Sequence, residues 1–140
     1  ELHLITNGSY DMTEWNHYFE KFKQVYVNIS IEAVGDRYEY IRPGSSWLTT
    51  SKNTVIFNKH KPKNTYINVT ILPMVFNRNN LDEVENWCKS NNIQYHVSTP
   101  VITPAFMSPD AMKDGLLRKQ LIEQSEILDK IHGTNYQDFI

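Results

Sequence analysis

The sequence predicts an α/β domain built on a parallel sheet of βα repeats, and three observations carry that expectation. Four runs rich in β-branched and aromatic residues, each bounded by Asn, Gly or Pro, read as strands: "LHLIT" (residues 2–6), "VYVNISI" (25–31), "YINVTIL" (66–72) and "IQYHV" (93–97). The stretches between them repeat their apolar residues at three- and four-residue steps, the period of a helix. A strand that reaches the next strand through a helix ordinarily joins it in parallel, by a right-handed crossover.

Taken in order, the strand at 2–6 leads into "DMTEWNHYFEKFK" (11–23), where Asp11 is the N-cap and Met12, Trp15, Phe19 and Phe22 form one buried face. After the strand at 25–31, the short helix "GDRYEYI" stops at Arg42, because Pro43 disfavours helical geometry at the residue before it. "SSWLTTSKNTVIFNKH" is a weaker helix that starts near Ser45 or Ser46. The strand at 66–72 is followed by "NLDEVENWCKSNN", with Leu81, Val84, Trp87 and Cys88 on one side behind an Asn80 cap. After the strand at 93–97, the loop 98–110 holds three prolines that stiffen it. The final helix is expected from Pro109 to Ile131 behind a Ser108 cap. Trp15, Trp47 and Trp87 fall at helical core positions, and His96, in mid-strand, reads as a hydrogen-bonded core histidine.

A chain of 140 residues with 40% hydrophobic content fits one globular domain over residues 1–140, with no repeat or linker. The net charge of −2 gives no polyanion footprint, and Lys59, His60, Lys61 and Lys63 make only a short basic patch, so nucleic acid is not indicated. No apolar run approaches the roughly 20 residues of a membrane span, and the first residues lack the pattern of a signal peptide. A cytoplasmic protein is expected, and the three Asn-x-Ser/Thr triplets read as chance. The single cysteine, Cys88, rules out an internal disulfide and a cysteine-built metal site within this chain. No Gly-rich phosphate loop, serine elbow or HExxH motif is present.

Ligands of such sheets bind outside the carboxyl ends of the strands, and three of those ends carry polar turns: Thr6-Asn7-Gly8, Ser30 with Glu32, and Asn77-Arg78-Asn79-Asn80. Ser30 and Glu32 alternate onto one face, where a hydroxyl and a carboxylate suit a ribose. Arg42, above the sheet, suits a carboxylate that it can grip through two parallel hydrogen bonds. Against this, Asn, Gly, Ser and Asp are ordinary turn formers, and Arg42 has Glu39 and Asp36 at hand as ion-pair partners.

"LITNGS", then "VNISIEAVGDRYEYIRPGSSW", then "NVTILPMVFNRNNLDEVENWC" together resemble the middle and later βα units of a radical S-adenosylmethionine (radical SAM) enzyme, of the twitch- or SPASM-type members in particular. The resemblance covers residues 2–107. It implies a portion of a partial (β/α)6 TIM-like barrel, and a parent enzyme that uses a 4Fe-4S cluster to cleave S-adenosylmethionine to a 5′-deoxyadenosyl radical, in many relatives to modify peptides or proteins. Position by position, it implies that Thr6 and Asn7 lie beside the methionine part of S-adenosylmethionine, that Ser30 and Glu32 lie near its sugar and amino-acid groups, that Arg42 holds its carboxylate, and that Asn77 stands close to the cofactor.

Two departures from the pattern stand out. Glu32 replaces the commoner aspartate, and the CxxxCxxC triad with its "GGEP" strand is missing, so this chain alone is expected to hold no cluster and to be a fragment of a longer protein. The alternative is a non-catalytic α/β binding or oligomerisation module that has lost the iron–sulfur chemistry. The strands beginning at Leu2 and Ile93 become sheet edges, and a homo-oligomer is expected, unless the final helix folds back over the open face with Leu116, Leu117, Leu121, Ile122 and Leu128.

Overall fold

A computed structural model describes residues 1–113 and 115–132. Its four strands, β1 (Leu2–Thr6), β2 (Val25–Ser30), β3 (Thr65–Ile71) and β4 (Gln94–Val97), form one sheet in the order β1-β2-β3-β4, with every neighbouring pair parallel. Alternation decides what each face does. Val25, Val27 and Ile29 of β2 and Ile67, Val69 and Ile71 of β3 point to one side and are buried there with Phe19, Phe57, Val84 and Cys88 from the helices. Each side chain buried in this way stabilises the fold by about 1.5–3 kcal/mol.

The other face is more open and almost free of charge. His3, Tyr26 and Tyr66 are register partners across β1, β2 and β3, and their rings stack in series at 4.8 and 5.3 Å. Asn68 Nδ2 donates to Asn28 Oδ1 at 3.2 Å and lies 2.8 Å from His96 Nδ1. His96 is therefore hydrogen-bonded, as expected, but it is exposed on this face and not in the core.

The helices depart from expectation at both ends of the chain. The first is a 3-10 turn (Met12–Trp15) followed by α1 (Asn16–Phe19), not a helix reaching residue 23. Asp11 does cap it, accepting from Thr13 N at 3.0 Å. It stops early because the Asn64 side-chain amide donates to the carbonyls of both Phe19 and Phe22, at 2.9 and 2.7 Å, satisfying groups that a longer helix would have paired. Met12 and Phe19 are buried, whereas Trp15 and Phe22 are 50% and 40% exposed, so neither is a core residue.

In the middle of the chain the reading holds more closely. α2 (Gly35–Ile41) ends at Arg42, whose φ of −124° and ψ of 75° are non-helical, as Pro43 requires. α3 (Trp47–His60) starts behind Ser46, which accepts from Thr49 N. α4 (Leu81–Ser90) has Asn80 at its cap position, but the Asn80 amide donates to Glu83 Oε1 at 2.8 Å and caps no backbone N–H. Trp47 and Trp87 pack edge-to-face at 5.2 Å, as core tryptophans should.

The last segment is not one helix from Pro109. It makes 3-10 turns at Ala105–Met107 and Ala111–Lys113, and α5 (Gly115–His132) starts only at Gly115, a residue better tolerated at a helix end than inside one. This tail lies across the carboxyl end of the sheet. Leu121 and Ala111 are fully buried against Tyr40, Met74, Val75 and Phe76, while Leu116 is 68% exposed. The side chains of Leu117 and Leu128 lie outside the described residues. No described helix is long and apolar enough to cross a membrane.

The turn after β1 depends on Gly8. Its φ is +73°, and a Cβ there would meet Ile29 Cγ2, Thr50 Cγ2 and Thr54 Oγ1, each at 3.1 Å. Gly8→Ala is expected to destabilise the fold by about 1–3 kcal/mol through backbone strain and overpacking together. Urea unfolding of the two proteins checks this, and equal midpoints would contradict it.

Candidate functional site

Because the sheet is parallel, the ends of β1, β2 and β3 all open on one edge, and the six residues singled out in the sequence distribute themselves around it in two groups. The tighter group is Glu32, Arg42 and Asn77. Past the end of β2 the chain runs extended to Val34, and Gly35, at φ +59°, turns it into α2. That turn returns the end of α2 towards its own start. Arg42 Nε then donates to Glu32 Oε2 at 2.6 Å and Arg42 Nη2 to Glu32 Oε1 at 2.7 Å.

This two-pronged pair is the strongest geometry available to a guanidinium and a carboxylate. The Glu32 side chain is only 5% exposed and that of Arg42 26%. The hydrogen bond to Glu32 raises the Arg42 pKa above its ordinary value, against the opposing effect of burial. Arg42 thus pairs with neither Glu39 nor Asp36. Glu39 instead accepts from Trp47 N at 2.8 Å, which anchors the start of α3.

Asn77 is completely buried. Its Nδ2 donates to the carbonyls of Glu32 and Leu72, at 2.8 and 3.0 Å, and its Oδ1 accepts from Met74 N at 2.7 Å. Its amide is thus spent on the protein's own main chain. Arg37 and Arg78 reinforce the same loop: Arg37 Nη1 donates to the Phe76 carbonyl at 2.7 Å, and Arg78 Nη1 to the Pro109 carbonyl at 3.0 Å.

The second group is looser. The Thr6 hydroxyl accepts from Gly8 N at 3.2 Å, and Asn7 Oδ1 accepts from the main chain and hydroxyl of Ser9 at 3.0 and 2.8 Å. Ser30 sits on the open sheet face as register partner of Thr70. Thr6 is the partner of Ile29, one position away, so it turns to the helix side. Ser30 and Thr6 therefore present their hydroxyls to opposite faces.

Tyr38, which the sequence reading passed over, links the groups. Its hydroxyl lies 3.0 Å from that of Thr50 and donates to the Asn7 carbonyl at 3.4 Å, while the Arg42 guanidinium stands 5.9 Å from its ring centre. The available signal was its place four residues before Arg42, one helical turn away on the same face.

Cys88 is buried under α4, far from thiolate chemistry. Burial, with a smaller push from the Glu85 charge, raises its pKa from 9.0 to about 12. Among the described residues no three His, Cys, Asp or Glu side chains gather as a group that would hold a metal ion. No family model matches this chain, and no curated protein or solved structure matches it either.

Two outcomes follow from this geometry. Arg42→Ala leaves a buried carboxylate unpaired and is expected to cost about 2–5 kcal/mol, with Glu32→Gln in the same background recovering part of the loss. A double-mutant cycle by chemical denaturation reads this, and additive effects would contradict the pairing. For Cys88, the folded state favours the neutral thiol. Its contribution to stability is therefore complete below pH 9 and is lost as pH rises towards about 12. At pH 8 the native thiol should react with a disulfide reagent at least about tenfold more slowly than the unfolded one, and equal rates would contradict this.

Proposed function

We propose that the carboxyl edge of the sheet is a binding site for a zwitterionic adenosyl ligand of the S-adenosylmethionine type, and that the chain is the later part of a radical SAM barrel. The observation that carries this reading is the partly exposed Arg42 guanidinium, held in place by Glu32 at the strand ends. The pair occupies Nε and Nη2. Nη1 remains as the donor that would meet a ligand carboxylate, and Ser30 stands on the adjoining open face for a hydroxyl.

The fit is partial. Both Glu32 oxygens are engaged by Arg42, so Glu32 orients the guanidinium and would take ribose hydroxyls only by releasing it. The residues do not fit the iron–sulfur cluster: Cys88 is one buried thiol of raised pKa, and a 4Fe-4S cluster needs several thiolates. No radical step is assigned to this chain. Cluster, substrate peptide or protein, and reaction would belong to the full-length parent.

A second reading, the non-catalytic α/β module, is favoured by Asn77, whose hydrogen bonds are all internal. On that reading the carboxyl edge is structural, and binding or oligomerisation is the work of other surfaces of the module.

Calorimetric titration with S-adenosylmethionine, S-adenosylhomocysteine and methionine separates the two. The proposed reading expects all three to bind, in the micromolar to millimolar range. Ser30→Ala should weaken only the two adenosyl ligands, and Arg42→Lys should weaken all three by about tenfold or more. Absence of binding by any of them at about 1 mM would overturn the reading.

A further inference from the structure

The tail and the turn after β3 enclose a recess separate from the Glu32–Arg42 pair. Its volume is about 470 Å³, within the range of small-ligand sites, and its walls are Arg78 and Asn79 on one side and Pro109, Asp110, Met112 and Lys113 on the other. It belongs to the loop that follows the carboxyl end of β3, the end at which parallel sheets take their ligands.

Both walls are fixed by main-chain hydrogen bonds. Asn80 N donates to the Asn77 carbonyl at 2.9 Å, closing the turn that carries Arg78. On the tail, Ala111 N donates to the Ser108 carbonyl and Lys113 N to the Asp110 carbonyl, both at 2.9 Å, and Ala111 is fully buried. Arg78 Nη1 joins one wall to the other through the Pro109 carbonyl at 3.0 Å. A recess formed in advance in this way loses little affinity to ordering.

The charges within it are unevenly matched. Asp110 Oδ1 accepts from Lys113 Nζ at 2.6 Å, so these two exposed charges offset each other. The Lys113 hydrogen bond is the first cause of the lowered Asp110 pKa and the Arg78 charge the last, so Asp110 belongs to Lys113. Arg78 hydrogen-bonds to Pro109 through Nη1, and its Nε–Nη2 edge meets no carboxylate among the described residues. That is the edge with which Arg42 grips Glu32 at 2.6 and 2.7 Å. Its two parallel N–H groups match the two oxygens of a carboxylate. The rest of the lining is partly apolar: Met112 packs on the cluster that holds Tyr40, Met74 and Phe76, and Pro109 adds a second apolar surface.

We propose that this recess binds a small carboxylic acid, its carboxylate on the Nε–Nη2 edge of Arg78 and its apolar part against Met112 and Pro109. The site goes beyond the adenosyl reading and does not depend on it, because Arg42 takes no part in it.

Heteronuclear NMR titration of the whole chain tests this, with hexanoate as the probe. Hexanoate is expected to shift the Arg78 Nε–H signal and the main-chain signals of Met112 and Lys113 saturably, with a Kd of about 0.1–10 mM. Acetate, which lacks the chain, and hexanamide, which lacks the charge, should each bind at least about fivefold more weakly. Arg78→Lys should weaken hexanoate binding about tenfold. Asp110→Asn should tighten it about twofold or more by removing the competing carboxylate of the recess. Lys63→Gln, at the amino end of the sheet, should leave it unchanged. Asp110 is exposed, so Asp110→Asn decides the matter should Arg78→Lys disturb the tail. The readout lies at Arg78 and Met112, which keeps failure here distinct from failure of S-adenosylmethionine to bind at Arg42. The proposal is overturned by shifts confined to Glu32 and Arg42, by no shift up to about 50 mM, or by acetate or hexanamide binding as well as hexanoate. A Kd indifferent to Arg78→Lys or Asp110→Asn, or one raised by Lys63→Gln, overturns it equally.

Discussion

The arrangement at the carboxyl end of the sheet depends on the buried side chain of Asn77. Two donors and one acceptor are all satisfied by main-chain groups of Glu32, Leu72 and Met74. An amide is suited to this because it donates and accepts at once, and an apolar replacement would strand three buried polar groups. The bond to the Glu32 carbonyl joins the ends of β2 and β3, which are otherwise past their last ladder contacts. It thereby sets where the Glu32 carboxylate stands when Arg42 arrives from the far end of α2.

The same loop is secured from its other side by the tail. Val75 N donates to the Met107 carbonyl and Val101 N to the Pro73 carbonyl, both at 2.9 Å, and Leu121 closes the small apolar cluster above Met74 and Phe76. Arg37 and Arg78 spend guanidinium donors on carbonyls of this region. Polar side chains bound to main chain, rather than surface ion pairs, hold the edge. Ties of this kind are insensitive to salt, unlike exposed charge pairs. Those ties fix the Glu32 main chain, and Arg42 is held in turn by its two hydrogen bonds to the Glu32 carboxylate.

Much of the fold was legible because strand alternation is a strong signal. The strand read at 25–31 is Val25–Ser30, and that read at 66–72 is Thr65–Ile71. The end of α2 was legible too, since Pro43 constrains Arg42 locally. The partner of Arg42 was not. Asp36 and Glu39 are nearer along the chain, and only the left-handed turn at Gly35 brings Glu32, ten residues back, within reach. The resemblance puts Asn77 close to a cofactor, and its internal hydrogen bonds were not legible from that, although it follows the buried run Met74-Val75-Phe76, a context that favours a buried tie. Trp15 was read as core from its spacing, but Asn64, 49 positions along the sequence, ends that helix before the outer stripe is covered.

The most direct test of this account is amide hydrogen exchange in the Asn77→Ala variant, followed residue by residue. The account predicts that Met74 N–H, which Asn77 protects directly, loses protection along with its loop neighbours, while β2 and β3 keep theirs. Protection of Met74 equal to that in the unsubstituted protein would contradict it, because the loop would then be held without the Asn77 tie.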